Sequence, residues 1–302
     1  MRRWIAAIAL GGATALLLSA CSNPAGVDGD LTDDWAAVPE PKPFVPPAEV
    51  CHSGDFAEVA YLSSFNPVDC ASPHRLETVY VGQFTGAAAS ASAPPAKGSP
   101  EIRTAFAECD AKTKEYLGAD WRTARLWMGV VLPSPQAWAG GSRWFRCDVT
   151  EVTNAEDSGY TTSRSGSVKG ALKSASPLSL GCFQVTLARD SSIDTMPATA
   201  CTKDHNSEFA GVYSAPDGSY PSKSADWDKM HNECRKVIAK FAGVPNDGNL
   251  KYRTGVVSLP ANDDDWTNGN RGVRCYLWLS ERKVNRSLKG AGPNGLPIQY
   301  AR

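Results

Sequence analysis

The chain of 302 residues has no large excess of charge of either sign, since 31 Lys and Arg stand against 32 Asp and Glu. It therefore offers no basic face for nucleic acid and no strong attraction to an anionic membrane. Beyond the first twenty residues no apolar run approaches the roughly 20 residues that a membrane-spanning helix takes. The spacing C-x-x-C occurs nowhere, which speaks against a thiolate metal site. The zinc motif H-E-x-x-H, the nucleophile elbow G-x-S-x-G and a Gly-rich phosphate loop are also missing. Ser280-Glu281-Arg282-Lys283 spells S-x-x-K, but it closes a strand-like run, no S-D-N follows, and Arg253-Thr254-Gly255 comes before it. That match is accidental. These absences leave no catalytic residue, no metal and no cofactor to assign, and the expectation is a protein that is not an enzyme.

What is present begins with an export signal over residues 1–20. Arg2 and Arg3 precede the uncharged stretch Trp4 to Leu18, and small residues lead to Cys21. Leu18-Ser19-Ala20-Cys21 looks like a bacterial lipobox. The resemblance implies a diacylglycerol on the Cys21 sulfur, palmitate-type acylation, and a lipid-anchored protein on the extracytoplasmic face of the cell membrane. Setting aside Arg2 and Arg3 leaves 29 basic and 32 acidic side chains, a formal charge of −3. Residues 21–50 are rich in Pro, Asp and Ala and read as a disordered tether, with a reach on the order of 90 Å.

Eight cysteines remain beyond Cys21, an even number in an exported chain, which reads as disulfides. They fall into a repeat. Cys51 matches Cys182, Cys70 matches Cys201, and each pair brackets the same spacing. His74 and Glu77 match His205 and Glu208. AECDAKTKEYLG matches NECRKVIAKFAG, and WAGGSRWFRC matches WTNGNRGVRC without a gap. The trailing GSVKGAL matches RSLKGAG. The expected organisation is repeat 1 over 51–172, a linker over 173–181 and repeat 2 over 182–302.

Each repeat reads β-β-β-α-β-β, an α+β unit with one helix on a small antiparallel sheet. Ile102, Ala105, Phe106, Cys109, Thr113, Tyr116 and Leu117 recur at helical spacing. So do Trp227, Met230, Cys234, Val237, Ile238 and Phe241. Gly118 and Gly243 stand where left-handed caps belong. CFQVTLAR and IDTMPATAC suggest a hairpin about Asp190-Ser191-Ser192. GAAASASAPPAKGSP, residues 86–100, reads as a mobile low-complexity loop. Four cysteines per repeat allow three pairings. The inward-facing helix cysteines favour Cys51–Cys70, Cys109–Cys147, Cys182–Cys201 and Cys234–Cys275.

The candidate site residues are those that recur. C-x-x-x-H-x-x-E gives Cys70, His74 and Glu77, then Cys201, His205 and Glu208. A His with a carboxylate three residues on suits a zinc ligand set or a general base, and the alternative function is a metal-dependent envelope hydrolase using these pairs. Structural use is favoured, because a fold fastener must recur with each copy while a reactive site need not. Trp138 and Trp266 are read as covers over one end of each core. Arg143 and Arg271 suit recognition of a carboxylate, and pairing with Glu77 and Glu208 is slightly favoured. His52 and His231 have no counterpart in the other copy.

The order C-x(n)-C-x-x-P-H-x-x-E, a helix cysteine, W-x-x-G-x-R-x-x-C and a trailing S-x-K-G resembles the septum-formation domain family of actinobacterial envelope lipoproteins, here in two tandem copies. Asp204 replaces the proline of that pattern in the second copy. The resemblance implies an extracytoplasmic role near cell division or envelope maintenance and no established reaction. The expected function is a binding or scaffolding module. Its partners would be the membrane through the lipid and an envelope protein or cell-wall component, not nucleic acid. The groove between the two copies is the expected recognition surface.

Overall fold

The computed structural model describes residues 42–154, 160–190 and 192–300. The signal, Cys21 and residues 22–41 of the tether lie outside the described residues, as does Ser191 at the expected hairpin tip. No helix among the described residues is long and apolar enough to cross a membrane.

In chain order the first half contains β1 (Val50–His52), β2 (Val59–Ala60), β3 (Pro67–Val68), β4 (Leu76–Gln83), the short α1 (Gly86–Ser90), α2 (Pro100–Leu117), β5 (Leu126–Pro133), α3 (Pro135–Ala139), β6 (Trp144–Val152) and β7 (Thr161–Thr162). The second half contains β8 (Cys182–Phe183), β9 (Thr186–Leu187), β10 (Ile193–Thr195), β11 (Ala198–Thr199), β12 (Ser207–Ser214), α4 (Ser224–Ala242), β13 (Gly255–Pro260), α5 (Asp263–Thr267), β14 (Gly272–Trp278) and α6 (Gly292–Gly295). The sheet of the first half runs β2-β5-β6-β4-β1-β3, with β7 on β6. That of the second runs β13-β14-β12-β8-β11. Without β2 and β7 the two orders match strand for strand. The α+β architecture read from the sequence is the one observed.

Each long helix forms where the apolar spacing places it. Ser99 caps α2 by accepting the Ile102 amide, and Pro100 occupies the first turn, where its missing N–H costs nothing. Gly118 and Gly243 end the helices at φ 90° and 69°, a backbone that a side chain would resist. The helix faces that carry Cys109 and Cys234 are buried on the sheets. In β6 the period of two puts Phe145, Cys147 and Val149 in the core under α2. Trp144, Arg146 and Asp148 consequently lie on the opposite sheet face.

Four disulfides close the two halves, Cys51–Cys70 and Cys109–Cys147 in the first, Cys182–Cys201 and Cys234–Cys275 in the second. In each half one bond joins the opening strands and the other ties the helix to the central strand. The expected hairpin of the second half is also present, with β9 paired to β10 and β8 to β11.

Two expectations need correction. The stretch read as a mobile loop contains α1, and the Ala89 and Ala91 carbonyls accept hydrogen bonds from Arg143 and Trp138. Small residues here let the chain lie against a tryptophan, which composition alone does not reveal. The end of the tether is also part of the fold. Phe44 stacks edge-on against Phe65 at 5.0 Å and its carbonyl accepts from Trp144 Nε1 at 3.0 Å, while Glu49 pairs with Lys169.

The halves are joined by more than the linker. Leu178 and Leu180 pair by backbone with Arg125 and Thr123. Arg274 of β14 donates Nε to the Arg122 carbonyl at 2.9 Å and Nη2 to the Leu126 carbonyl at 3.1 Å.

Candidate functional site

The recurring His and Glu fasten two loops to each sheet. Glu77 on β4 is buried, and its oxygens accept from the Tyr116 hydroxyl, the Ser167 hydroxyl and the Val168 amide. Glu208 on β12 does the same with the Ser287 hydroxyl and the Leu288 amide. Those Ser residues belong to the trailing S-x-K-G, so the carboxylate captures the returning chain. Burial and the bond to Glu77 push the Tyr116 phenol far above its ordinary range, which keeps it a donor. His74 and His205 act one turn earlier. Each backbone forms a bridge with the returning strand, at Arg164 and Val284, and each Nδ1 donates to a loop carbonyl, of Ser72 and Lys203.

One ligand-type atom each from Cys51, His74 and Glu77 lies within 4.8 Å of the others, and Cys182, His205 and Glu208 repeat the arrangement. The chemistry of the donors does not suit an ion. Cys51 and Cys182 are bonded to another sulfur, which removes the thiolate a metal would take. The carboxylates are spent on the loop donors just described. His74 Nε2 and His205 Nε2 are buried and have no hydrogen-bond partner among the described residues.

The Trp-x-x-Gly-x-Arg elements form the turn into the central strand. Trp138 and Trp266 are buried, and the guanidinium groups of Arg143 and Arg271 lie over their rings at 4.3 and 4.7 Å. The expected pairing of these arginines with Glu77 and Glu208 does not occur. Arg143 donates to the carbonyls of Ala89, Trp138 and Ser142, and Arg271 pairs with Asp217 at 2.5 Å. The arginines sit at the strand's entry, and the glutamates lie farther along on neighbouring strands.

The halves differ most on the sheet face away from the helices. In the first half Thr78 donates to Asp148 Oδ1 at 2.8 Å, and its oxygen meets His52 Nε2 at 3.0 Å. Because the Thr78 proton is committed to Asp148, His52 Nε2 is the donor. Arg146 grips Asp148 Oδ2 through Nε and Nη2 at 3.0 and 2.7 Å. Burial first, and then the Arg146 charge, hold the His52 pKa below its ordinary value. The corresponding positions of the second half hold Phe183, Phe209 and Tyr276, whose rings pack edge-on at 5.4 Å. An aromatic core serves this face in one half. The other keeps a buried polar chain, which costs desolvation.

That polar chain ends at a cavity. A volume of about 230 Å³ is walled by Pro43, Phe44, Tyr61, Phe65 and Trp144, with Arg146 among its lining residues. The Arg146 Nη1 makes no hydrogen bond among the described residues, since its two bonds run from Nε and Nη2. The expected groove between the halves is present too, about 860 Å³ between Thr153 and Asn154 on one side and Phe183, Ile193 and Met196 on the other.

The sequence reading groups Trp138 with Arg143, which the structure brings together, but it misses the Ser167 and Val168 partners of Glu77 as well as Arg146, Asp148, Thr78 and the aromatic wall. One signal existed. His52 lacks a counterpart, and Asp148 faces Tyr276 in the ungapped alignment of the central strands.

A family model described as septum formation matches residues 48–275 in one stretch across both halves. No curated protein matches the chain, and no solved structure does. The description carries a role in cell division or the cell envelope.

Proposed function

The chain belongs to the septum-formation family, and from that premise we propose that it is a membrane-tethered, extracytoplasmic binding or scaffolding lipoprotein rather than an enzyme. In this reading the two halves are a duplicated module, Cys21 carries the lipid, and an envelope protein or cell-wall component is bound. The observation that carries the reading is the cavity ending on Arg146. It is the place where the first half keeps a buried charged pair and a free donor although the second half shows the same sheet closing with aromatic rings. Such a group is retained at a cost, and a bound partner that uses it is a physical reason for retention. The duplicated His and Glu support the same reading, because the histidine Nδ1 atoms and the carboxylate oxygens are directed to loop capture.

The test is removal of the folded part with residues 1–41 kept, followed by measurement of division, cell shape and envelope permeability. The proposal predicts altered septation or permeability, reversed by the full chain but less well by an Arg146→Met chain. Unchanged cells on all three readouts contradict a septal role. Cys21→Ala is expected to move the protein from the membrane to the soluble extracytoplasmic fraction.

A further inference from the structure

The second half holds the first by a surface built from α5, the turn after it and the start of β14. Asp265 Oδ2 accepts from Trp127 Nε1 at 2.7 Å, and Asn268 Oδ1 accepts from the Gly98 amide at 2.9 Å. Asn270 Oδ1 accepts from Arg122 Nε and Nη2 at 2.9 and 2.7 Å. Gly272 is bare against the same side chain, where an added Cβ would lie 2.1 Å from Arg122 Cδ. Arg274 then takes the Arg122 and Leu126 carbonyls. Apart from Gly98, which leads into α2, the gripped residues lie on the chain that leaves that helix.

The ungapped match of the two Trp-x-x-Gly-x-Arg elements aligns these five residues with Ala137, Gly140, Ser142, Trp144 and Arg146 of the first half. All five line the 230 Å³ cavity. The cavity is thus the first half's version of a surface that, in the second half, clasps this chain's own backbone. Its chemistry has shifted from polar to apolar: Asp265 and Asn268 become Ala137 and Gly140, Gly272 becomes Trp144, and the arginine stays. Exposed apolar side chains accompany it, with Phe44 at 38%, Tyr61 at 51% and Leu62 at 67% exposure. The second half presents an apolar counterpart at the chain that leaves α4. Tyr252, in the turn Leu250–Tyr252, is 38% exposed and contacts the ring of Tyr300, which is 67% exposed.

We propose that the cavity takes the Leu250–Tyr252 turn of a second copy of this chain, so that Tyr252 and Tyr300 enter the apolar wall and Arg146 Nη1 receives a backbone carbonyl. The contact repeats between molecules the one that joins the halves within a molecule. It is heterologous, with one cavity and one turn per chain, so each added copy leaves a free end of each kind and the assembly grows head to tail. A second copy and an envelope partner would compete for this one cavity, and the mass measurement below reads only the chain's affinity for itself.

The experiment uses the full chain in detergent, with mass followed by light scattering as concentration rises, for wild type, Leu62→Asp and Tyr252→Asp. Both substitutions are at exposed positions. Wild type is expected to grow beyond dimers. Each variant alone is expected to stay monomeric, with association at least tenfold weaker. An equimolar mixture of the two should form dimers and stop there, since Leu62→Asp keeps its turn and Tyr252→Asp keeps its cavity. A monomeric wild type at concentrations on the order of 100 µM, where weak protein contacts are populated, overturns the proposal. So do assemblies that both substitutions leave intact, or a mixture that shows no dimer.

Discussion

Glu77 accepts the backbone amide of Val168 at 2.8 Å across ninety residues of intervening chain, and Glu208 accepts that of Leu288 at 2.7 Å. A carboxylate that recurs with its captured amide is a part of the fold. Replacing it strands one buried amide in each half, that of Val168 or Leu288, and at Glu77 the half-buried Tyr116 hydroxyl as well. Glu77→Ala is expected to cost about 3 kcal/mol and Glu208→Ala about 2 kcal/mol. Urea unfolding of the two variants checks both the size and the order.

The disulfides close loops of different length, 19 residues for Cys51–Cys70 and 38 for Cys109–Cys147. By chain entropy the first contributes about 3 kcal/mol and the second about 4 kcal/mol. Cys109→Ser/Cys147→Ser should therefore lower the unfolding midpoint more than Cys51→Ser/Cys70→Ser. Calorimetry of each double variant at equal concentration measures the difference.

Arg274 is the strap between the halves. Arg274→Met leaves the carbonyls of Arg122 and Leu126 without their charged donor, at an expected cost of about 2–3 kcal/mol. Because the strap crosses the boundary, unfolding followed by the tryptophans should separate into two transitions where wild type shows one.

Asp265 gives the interface between the halves a pH dependence. Burial, the largest influence on it, raises its pKa from 3.8 to about 6, although the Trp127 N–H opposes the shift. The folded state thus holds this proton more tightly than the unfolded state. Stability from this group rises as pH falls through 6 and the gain is complete below 3.8, worth at most about 3 kcal/mol. His52, held low by burial, contributes with the opposite sign below pH 6.5. Subtracting the stability profile of Asp265→Asn from that of wild type isolates the first effect. The difference should grow in favour of wild type between pH 7 and pH 4.

Much of the architecture was legible because the sequence presents it twice. The spacing of Cys109 and Cys234 on their helices, the capping glycines and the two Trp-x-x-Gly-x-Arg turns each check the other. The partner of Glu77 was not legible, since Ser167 and Val168 reach it only after the chain has closed the sheet. Arg143 binds carbonyls of the Ala-rich stretch and of its own turn, and a backbone acceptor leaves no mark in a sequence. The cavity draws its walls from Phe44, Tyr61, Phe65 and Trp144, three separate segments that no local pattern joins. Its one trace was the failure of the repeat at His52 and Asp148, where attention to what the copies share looks past what they do not.

The central claim is that the shared His and Glu residues build the fold and that function lies where the halves differ. Calorimetry on Glu77→Ala and on the double variant Arg146→Met/Asp148→Leu, side by side and with and without added zinc, tests it most directly. Residues kept for fastening lose stability when removed, whereas residues kept for binding are often neutral or stabilising to remove. Glu77→Ala should lower the midpoint strongly, Arg146→Met/Asp148→Leu, which removes both members of the buried pair, should lower it less or not at all, and zinc should not raise the wild-type midpoint. An unchanged midpoint for Glu77→Ala together with zinc stabilisation that this variant loses would contradict the claim.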